Sequence, residues 1–219
     1  MKKYLEILKK CPLFYEIDDE YILKVLHCLG AKVDTFDKKY TIFGEGSPAK
    51  HIGIVLSGKV QVARNDYFGN RTILSNMGAS ELFSEAFAAA GTASMPVSVI
   101  ASEMSEIMFI DCNHILHTCK NGCSFHHQLI FNLMKDLAEK TIMFHQKIEI
   151  ISKRTTREKL LSYLMACSKN FGASSFVIPF DRQELADFLG VDRSGLSVEI
   201  SKLKKEGVID SHRSRFTLL

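Results

Sequence analysis

The sequence predicts an α+β chain in three successive parts: a stretch of short antiparallel strands, one long helix, and a compact C-terminal helical domain closed by a strand pair. Three observations carry this. Residues 31–111 alternate apolar and polar positions in short runs broken by glycine, as in "HIGIVLSGKVQVARND". Residues 124–152 change to a seven-residue apolar repeat. Residues 180–219 hold two short amphipathic segments separated by a glycine and end on a basic strand–turn–strand pattern.

Taken in order, residues 1–30 read as helical, with Asp18 as N-cap and Ile22, Leu23, Val25, Leu26 and Leu29 as the apolar side. The opening "MKKYLEILKKCPLF" is amphipathic and lacks the apolar core and cleavage site of a secretory signal. No run approaches the roughly 18 apolar residues of a membrane span, so the cytoplasm is the expected location. The six cysteines (Cys11, Cys28, Cys112, Cys119, Cys123 and Cys167) are then expected as thiols, metal ligands or redox sensors rather than a disulfide frame. Ile52, Ile54 and Leu56, then Val60 and Val62, with Ser57-Gly58 between them, read as strand, turn, strand. "NDYFGN" is the next turn, and "PVSVIAS" and "EIMFID" are further strands. Many short strands of this kind close into a barrel or roll, whose interior can hold one small ligand.

In the long helix, Ile130, Leu137, Phe144 and Ile151 recur every seven residues, and Met134, Thr141 and Ile148 fill the intermediate positions. This is an a/d seam. The helix either pairs with its copy in a homodimer or lies on its own barrel; one small domain rarely covers so long a helix, which favours the dimer. Thr155 with Glu158 forms a capping box, so a new helix starts there and runs through Leu160, Leu161, Leu164 and Met165 to "SKNFGASS". The expected division is 1–123 for the strand-rich sensing domain, 124–152 for the dimerisation helix and 153–219 for the C-terminal domain.

Charge is distributed unevenly. Residues 153–219 carry twelve Lys and Arg against eight Asp and Glu, a net of +4, while the first 152 residues carry 16 against 17, a net of −1. A basic C-terminal part suits a polyanion partner. Within it, Asp181 and Glu184 form a second capping box, Leu185, Phe188 and Leu189 are apolar, and Gly190 ends the helix. Asp192 caps a second helix with Leu196, Ile200 and Leu203 inward, and the small Ala186 lets the two helices approach. Two short helices joined through a glycine turn make a helix-turn-helix. The second helix exposes Arg193, Ser194, Ser197 and Val198 at its start, where such a helix enters a major groove, and an arginine there can donate two bonds to guanine. Lys202, Lys204 and Lys205 follow, and "VIDSHRSRFTLL" forms a wing with His212, Arg213 and Arg215 at its tip, placed for phosphates. A purely structural hairpin with a solvated basic face would also fit the charges, but not the agreement of caps, spacing and turn.

The order of barrel, long helix and winged helix-turn-helix, with "RQELADFLGVDRSGLS", "LSGKVQV" and "ELFSEAF", resembles the Crp/Fnr superfamily of bacterial transcription regulators. The resemblance implies a cyclic-nucleotide-binding-like β-roll of cupin-type jelly-roll form. It implies a homodimer on a palindromic double-stranded DNA site, a small-molecule effector and, for an activator, contact with RNA polymerase. It implies that Arg182, with Gln183 beside it, meets backbone phosphate and that Arg193, Ser194 and Ser197 read bases. Val198 departs from the pattern, an arginine being common there.

The same resemblance bears on "ELFSEAFAAAGTASMPVSVIA". Cyclic-nucleotide binders of the family have a Gly-Glu pair and, ten residues after the Glu, an Arg-Ser or Arg-Thr pair. Here the glycine is Ser84, the Glu is Glu85, and Met95-Pro96 stands in place of the arginine pair. A buried phosphate without a cation is costly, so the pocket of Phe83, Ser84, Glu85, Ala86, Phe87, Met95, Pro96 and Val97 is expected to hold something other than cyclic AMP. A second candidate sensor is the cluster "CNHILHTCKNGCSFHH", in which thiols and imidazoles suit zinc, haem iron or an iron–sulfur centre. Cys112, Cys119, Cys123 and His126 are its candidate ligands for redox, metal or haem and nitric-oxide sensing; the plainer reading leaves them as ordinary residues where barrel meets helix. No nucleophile–base–orienter set or phosphate loop points to an enzyme.

Overall fold

The computed structural model describes residues 1–117 and 125–219. They form two compact units, residues 1–65 with 74–141 and residues 66–73 with 142–219.

The first unit opens with α1 (Leu5–Leu8) and α2 (Asp19–Cys28). Pro12 interrupts the expected early helix by starting a separate 3-10 turn, Pro12–Phe14. Asp18 stands at the N-cap of α2, but its side chain makes no capping hydrogen bond. Eight strands follow: β1 (Lys32–Phe36), β2 (Thr41–Phe43), β3 (His51–Ser57), β4 (Val60–Asn65), β5 (Arg71–Met77), β6 (Leu82–Phe83), β7 (Ser98–Ala101) and β8 (Ser105–Asp111), with α3 (Glu85–Ala89) between β6 and β7. Two four-stranded antiparallel sheets result, ordered β1-β8-β3-β6 and β2-β7-β4-β5. The Ser57-Gly58 turn therefore does not close a hairpin: β3 and β4 lie in different sheets. Gly58 has φ +82, and a Cβ on it would stand 2.4 Å from Met104 O. Only glycine fits that crossing.

The strands are buried unequally. β3 is buried on both faces, so its alternation is one between two cores rather than between core and water. Ile52, Ile54 and Leu56 pack with Met108 and Ile110 against Leu8, Ile22, Leu26, Leu129 and Leu133. Val55, on the other face, joins Val60, Val62, Phe83, Met95, Val97, Val99 and Ile107.

After α4 (Cys112–Leu116), α5 runs from Phe125 to Ile151, 27 residues. It carries two apolar or polar repeats rather than one. Leu129, Leu133, Asp136, Lys147 and Ile150 are buried in the chain itself. Of the expected seam, Met134, Thr141, Phe144, Ile148 and Ile151 are exposed, while Ile130 and Leu137 are half-buried against the first unit's core.

The second unit contains α6 (Thr156–Phe171), β9 (Ser175–Val177), α7 (Arg182–Leu189), α8 (Arg193–Lys205), β10 (Ile209–His212) and β11 (Arg215–Leu218), with a three-stranded sheet ordered β10-β11-β9. Both capping boxes are made, Thr155 with Glu158 and Asp181 with Glu184. Gly190 ends α7 at φ +62. Leu160, Leu164, Leu185, Ala186, Leu189, Leu196, Ile200, Leu203 and Phe216 form the core. Met165, through which α6 runs as expected, is exposed.

Candidate nucleic-acid interface and effector pocket

The helix pair α7–α8 is set by its caps. Asp192 accepts from Gly195 N at 2.8 Å, which fixes where α8 begins and makes Arg193 its first residue. Arg193, Ser194 and Val198 are exposed there and Ser197 is half-buried. The hydroxyls are already used as donors: Ser194 to Asp192, and Ser197 to Arg193 O at 3.0 Å, leaving their lone pairs to accept. On α7, Gln183 is exposed and bonded to Asp187 at 2.8 Å. Arg182 is half-buried with its guanidinium 5.6 Å from the Phe216 ring, and burial, then the charge of Arg193, lowers its pKa. At the other end of the surface, Lys202, His212, Arg213 and Arg215 are exposed. The wing turn is anchored by Ser214 Oγ donating to Phe180 O at 2.9 Å. Lys204 pairs with Asp210 at 3.0 Å, so it ties α8 to β10.

One brace was not read from the sequence. Arg157 of α6 reaches Glu206 at 3.1 Å and Glu199 at 3.4 Å, so it holds α6 to α8 and its C-cap across separations of 49 and 42 residues. Local pattern carries no signal for such a pair.

The expected effector pocket divides on inspection. Phe83, Met95 and Val97 are buried in the inter-sheet core, and Phe87 packs half-buried against it. The Phe83 ring lies on Gly53, where a Cβ would come within 2.0 Å of it. Ala86 and Pro96 are exposed and do not line the interior. They sit on the outer side of a single helical turn and of a loop whose inward residues fill the space. Ser84 stands at the start of α3 with φ +66, which accounts for the glycine the resemblance leads one to expect.

Glu85 is buried, and its partner comes from α5. Lys140 Nζ lies 2.9 Å from Glu85 Oε1 and 2.9 Å from Asp136 Oδ2, and donates to Leu82 O at 2.9 Å. The three side chains are 6%, 7% and 16% exposed for Glu85, Asp136 and Lys140. Burial alone would lower the Lys140 pKa, but the two carboxylates outweigh it and hold the ammonium above its usual value. Asp136 is raised, because burial outweighs what Lys140 returns. The group sets two carboxyl groups against one ammonium. Glu85 Oε2 and Ser84 Oγ are buried without a hydrogen-bond partner among the described residues. The i,i+4 spacing of Asp136 and Lys140 was a legible hint of this pair; the reach of Lys140 to Glu85, 55 residues away, was not.

The Cys/His cluster is only partly covered: Cys119 and Cys123 lie outside the described residues. Cys112 is buried, and burial pushes its thiol up to about 11, away from the reactive thiolate. His126 is buried with Nε2 bonded to His114 O at 2.9 Å. Among the described residues, no group of three His, Cys, Asp or Glu is placed to hold a metal ion.

Removing the shared cation tests this charge arrangement. Lys140→Met leaves two buried carboxylates unpaired and is expected to lower the unfolding free energy by about 3–5 kcal/mol, read from the urea midpoint. Asp136→Asn removes one of the two carboxyl groups and is expected to cost under about 1 kcal/mol. The pH dependence follows from the raised Asp136 carboxyl: its ionised form costs stability, and that cost is relieved as pH falls through its folded pKa. Equal losses in the two variants would mean the charges are not coupled.

Comparison with known proteins agrees with this geometry. The Cyclic nucleotide-binding domain family matches residues 33–121, and the Crp-like helix-turn-helix domain family matches residues 158–219. A Global nitrogen regulator of Nostoc is 20% identical over 192 residues, covering 85% of this chain and 84% of that one. A CRP-like cAMP-activated global transcriptional regulator of Mycobacterium tuberculosis is 34% identical over 80 residues, 36% of this chain and 35% of that one. The solved c-di-GMP responsive global regulator CLP of Xanthomonas campestris shares the fold at a TM-score of 0.75 and 17% identity, covering 92% of this chain and 99% of that one. These relatives regulate transcription and are not enzymes. With its effector-binding-type roll and its Crp-like helix-turn-helix, this chain belongs to the Crp/Fnr superfamily of transcription regulators.

Proposed function

We propose that the chain acts as a homodimer that reads a palindromic DNA site through the start of α8 and responds to a non-anionic effector in the first unit. The observation that carries the DNA reading is the cap at Asp192, which leaves Arg193 exposed at the first turn of α8 while Lys202, Arg213 and Arg215 stand ready for phosphates. Val198 is 55% exposed and can offer a thymine methyl only apolar contact. The dimer reading is supported by an exposed apolar stripe on α5, Met134, Phe144 and Ile148, of a kind that water penalises unless covered. RNA polymerase is the further partner if the outcome is activation.

The effector reading rests on Met95 and Lys140. Met95, standing where a phosphate-binding arginine would be needed, is buried in the inter-sheet core. Lys140, the cation that does reach Glu85, is already shared with Asp136 and Leu82 O. What remains unsatisfied among the described residues are Glu85 Oε2, an acceptor, and the Ser84 hydroxyl, which donates or accepts; together they favour a neutral or donor-bearing ligand.

Two experiments test the proposal. Arg193→Ala is expected to cost about 1–3 kcal/mol on the best site and to relax base preference at one position per half-site. Arg213→Ala is expected to weaken all duplexes about equally and to reduce the salt slope by about one. If Arg193→Ala leaves selectivity intact in binding titrations, the recognition helix is misassigned. Phe144→Glu is the cleaner seam variant, because Phe144 is exposed in the single chain and its change should spare folding. It is expected to yield monomers in sedimentation and to abolish tight site binding. A dimer that survives it places the interface elsewhere.

A further inference from the structure

The first unit has a cleft that neither the DNA reading nor the Glu85 pocket uses. It is an open cleft of about 570 Å³, lined by Phe36, Phe43 and Phe109, by Lys32, Asp34 and Asp111, and by the imidazoles of His51 and His114. That volume falls within the range of small-molecule sites. Its floor is aromatic. Phe36 meets Phe109 edge-on at 6.0 Å, and Phe43 meets Phe109 at 5.5 Å, all three rings half-buried. Its rim is charged in both signs. Lys32 and Asp34 stand on one face of β1 two residues apart, about 6.6 Å along the strand. Both are exposed, and neither makes a side-chain hydrogen bond or ion pair among the described residues. Asp111 adds a second carboxylate, which accepts from Asn113 N.

We propose that this cleft binds a small zwitterion with an apolar side chain, of the class of the aromatic and branched α-amino acids. The charges select by elimination. A plain anion would meet Asp34 and Asp111, and a plain amine, though it could pair with a carboxylate, would leave Lys32 unpaired. A zwitterion carries both charges on one carbon, so its carboxylate pairs with Lys32, its ammonium with Asp34, and its side chain covers the phenylalanine rings. Ammonium beside aromatic faces is an added attraction. The floor also leads inward: Phe43 touches Phe83 at 6.0 Å, the residue before Ser84-Glu85. An occupant that favours one position of Phe43 thereby biases the segment that carries Glu85.

Titration calorimetry on the full chain tests this with four probes: L-phenylalanine, L-leucine, 3-phenylpropionate and phenethylamine. The amino acids are expected to bind, and each singly charged analogue to bind at least about tenfold more weakly. Asp34→Asn should erase the preference over 3-phenylpropionate, and Lys32→Met the preference over phenethylamine. Both residues are exposed, so an unchanged melting temperature checks that the variants fold. No binding heat from either amino acid at millimolar concentration overturns the proposal, as does binding that neither cleft variant alters.

Discussion

The ammonium of Lys140 is the point on which the first unit turns. It is held by two buried carboxylates and a backbone carbonyl, and it is the link between α5, α3 and the end of β6. Charges this deeply buried are tolerated only while paired, so α3 and α5 cannot part without stranding one of them. This fixes which face of α5 turns inward. The helix then presents its other face, Met134, Thr141, Phe144 and Ile148, to the outside. The proposed dimer stripe is in this sense a consequence of an ion pair formed within one chain. Beside it, Glu85 Oε2 and the Ser84 hydroxyl are buried without a hydrogen-bond partner among the described residues, and the proposed effector reading starts from them.

The second unit is organised by short-range devices instead. Two capping boxes and the Asp192 cap fix the starts of α6, α7 and α8, and Gly190 turns the chain between the last two. Ala186 has no exposure, as a small residue at the helix crossing requires. Arg157 then braces α6 against α8 through Glu199 and Glu206. These contacts fix where α8 starts and so where Arg193, its first residue, emerges from the surface.

These differences explain what could be read from the sequence. The capping boxes and the turn glycine act within three to four residues, and Thr155–Glu158, Asp181–Glu184 and Gly190 stand where the pattern put them, whereas Asp18 makes no capping bond. The β3–β4 turn was legible as a turn, but not that it changes sheets, since Gly58 is required there by Ser105 and Met104 from a distant strand. Ala86 and Pro96 sat in the right segment and on the wrong side, because loop residues have no period from which to infer their facing. Lys140–Glu85 and Arg157–Glu206 are pairs between distant segments, invisible until the chain folds. The second repeat on α5, Leu129, Leu133, Asp136 and Lys140, was hidden by its polar members, which look like a solvated face when read along the chain.

The central claim is that, among the described residues, the pocket beside Glu85 has no cation to offer a ligand phosphate, because Met95 is buried apolar packing and Lys140 is already shared. Calorimetry with cyclic AMP and cyclic GMP, in parallel with a DNA-binding titration, tests this most directly. The account predicts no saturable heat from either nucleotide at millimolar concentration and no change in DNA affinity. A micromolar dissociation constant for either, with DNA affinity altered in step, would show that Lys140 or another base leaves its partners to take the phosphate, and would contradict it.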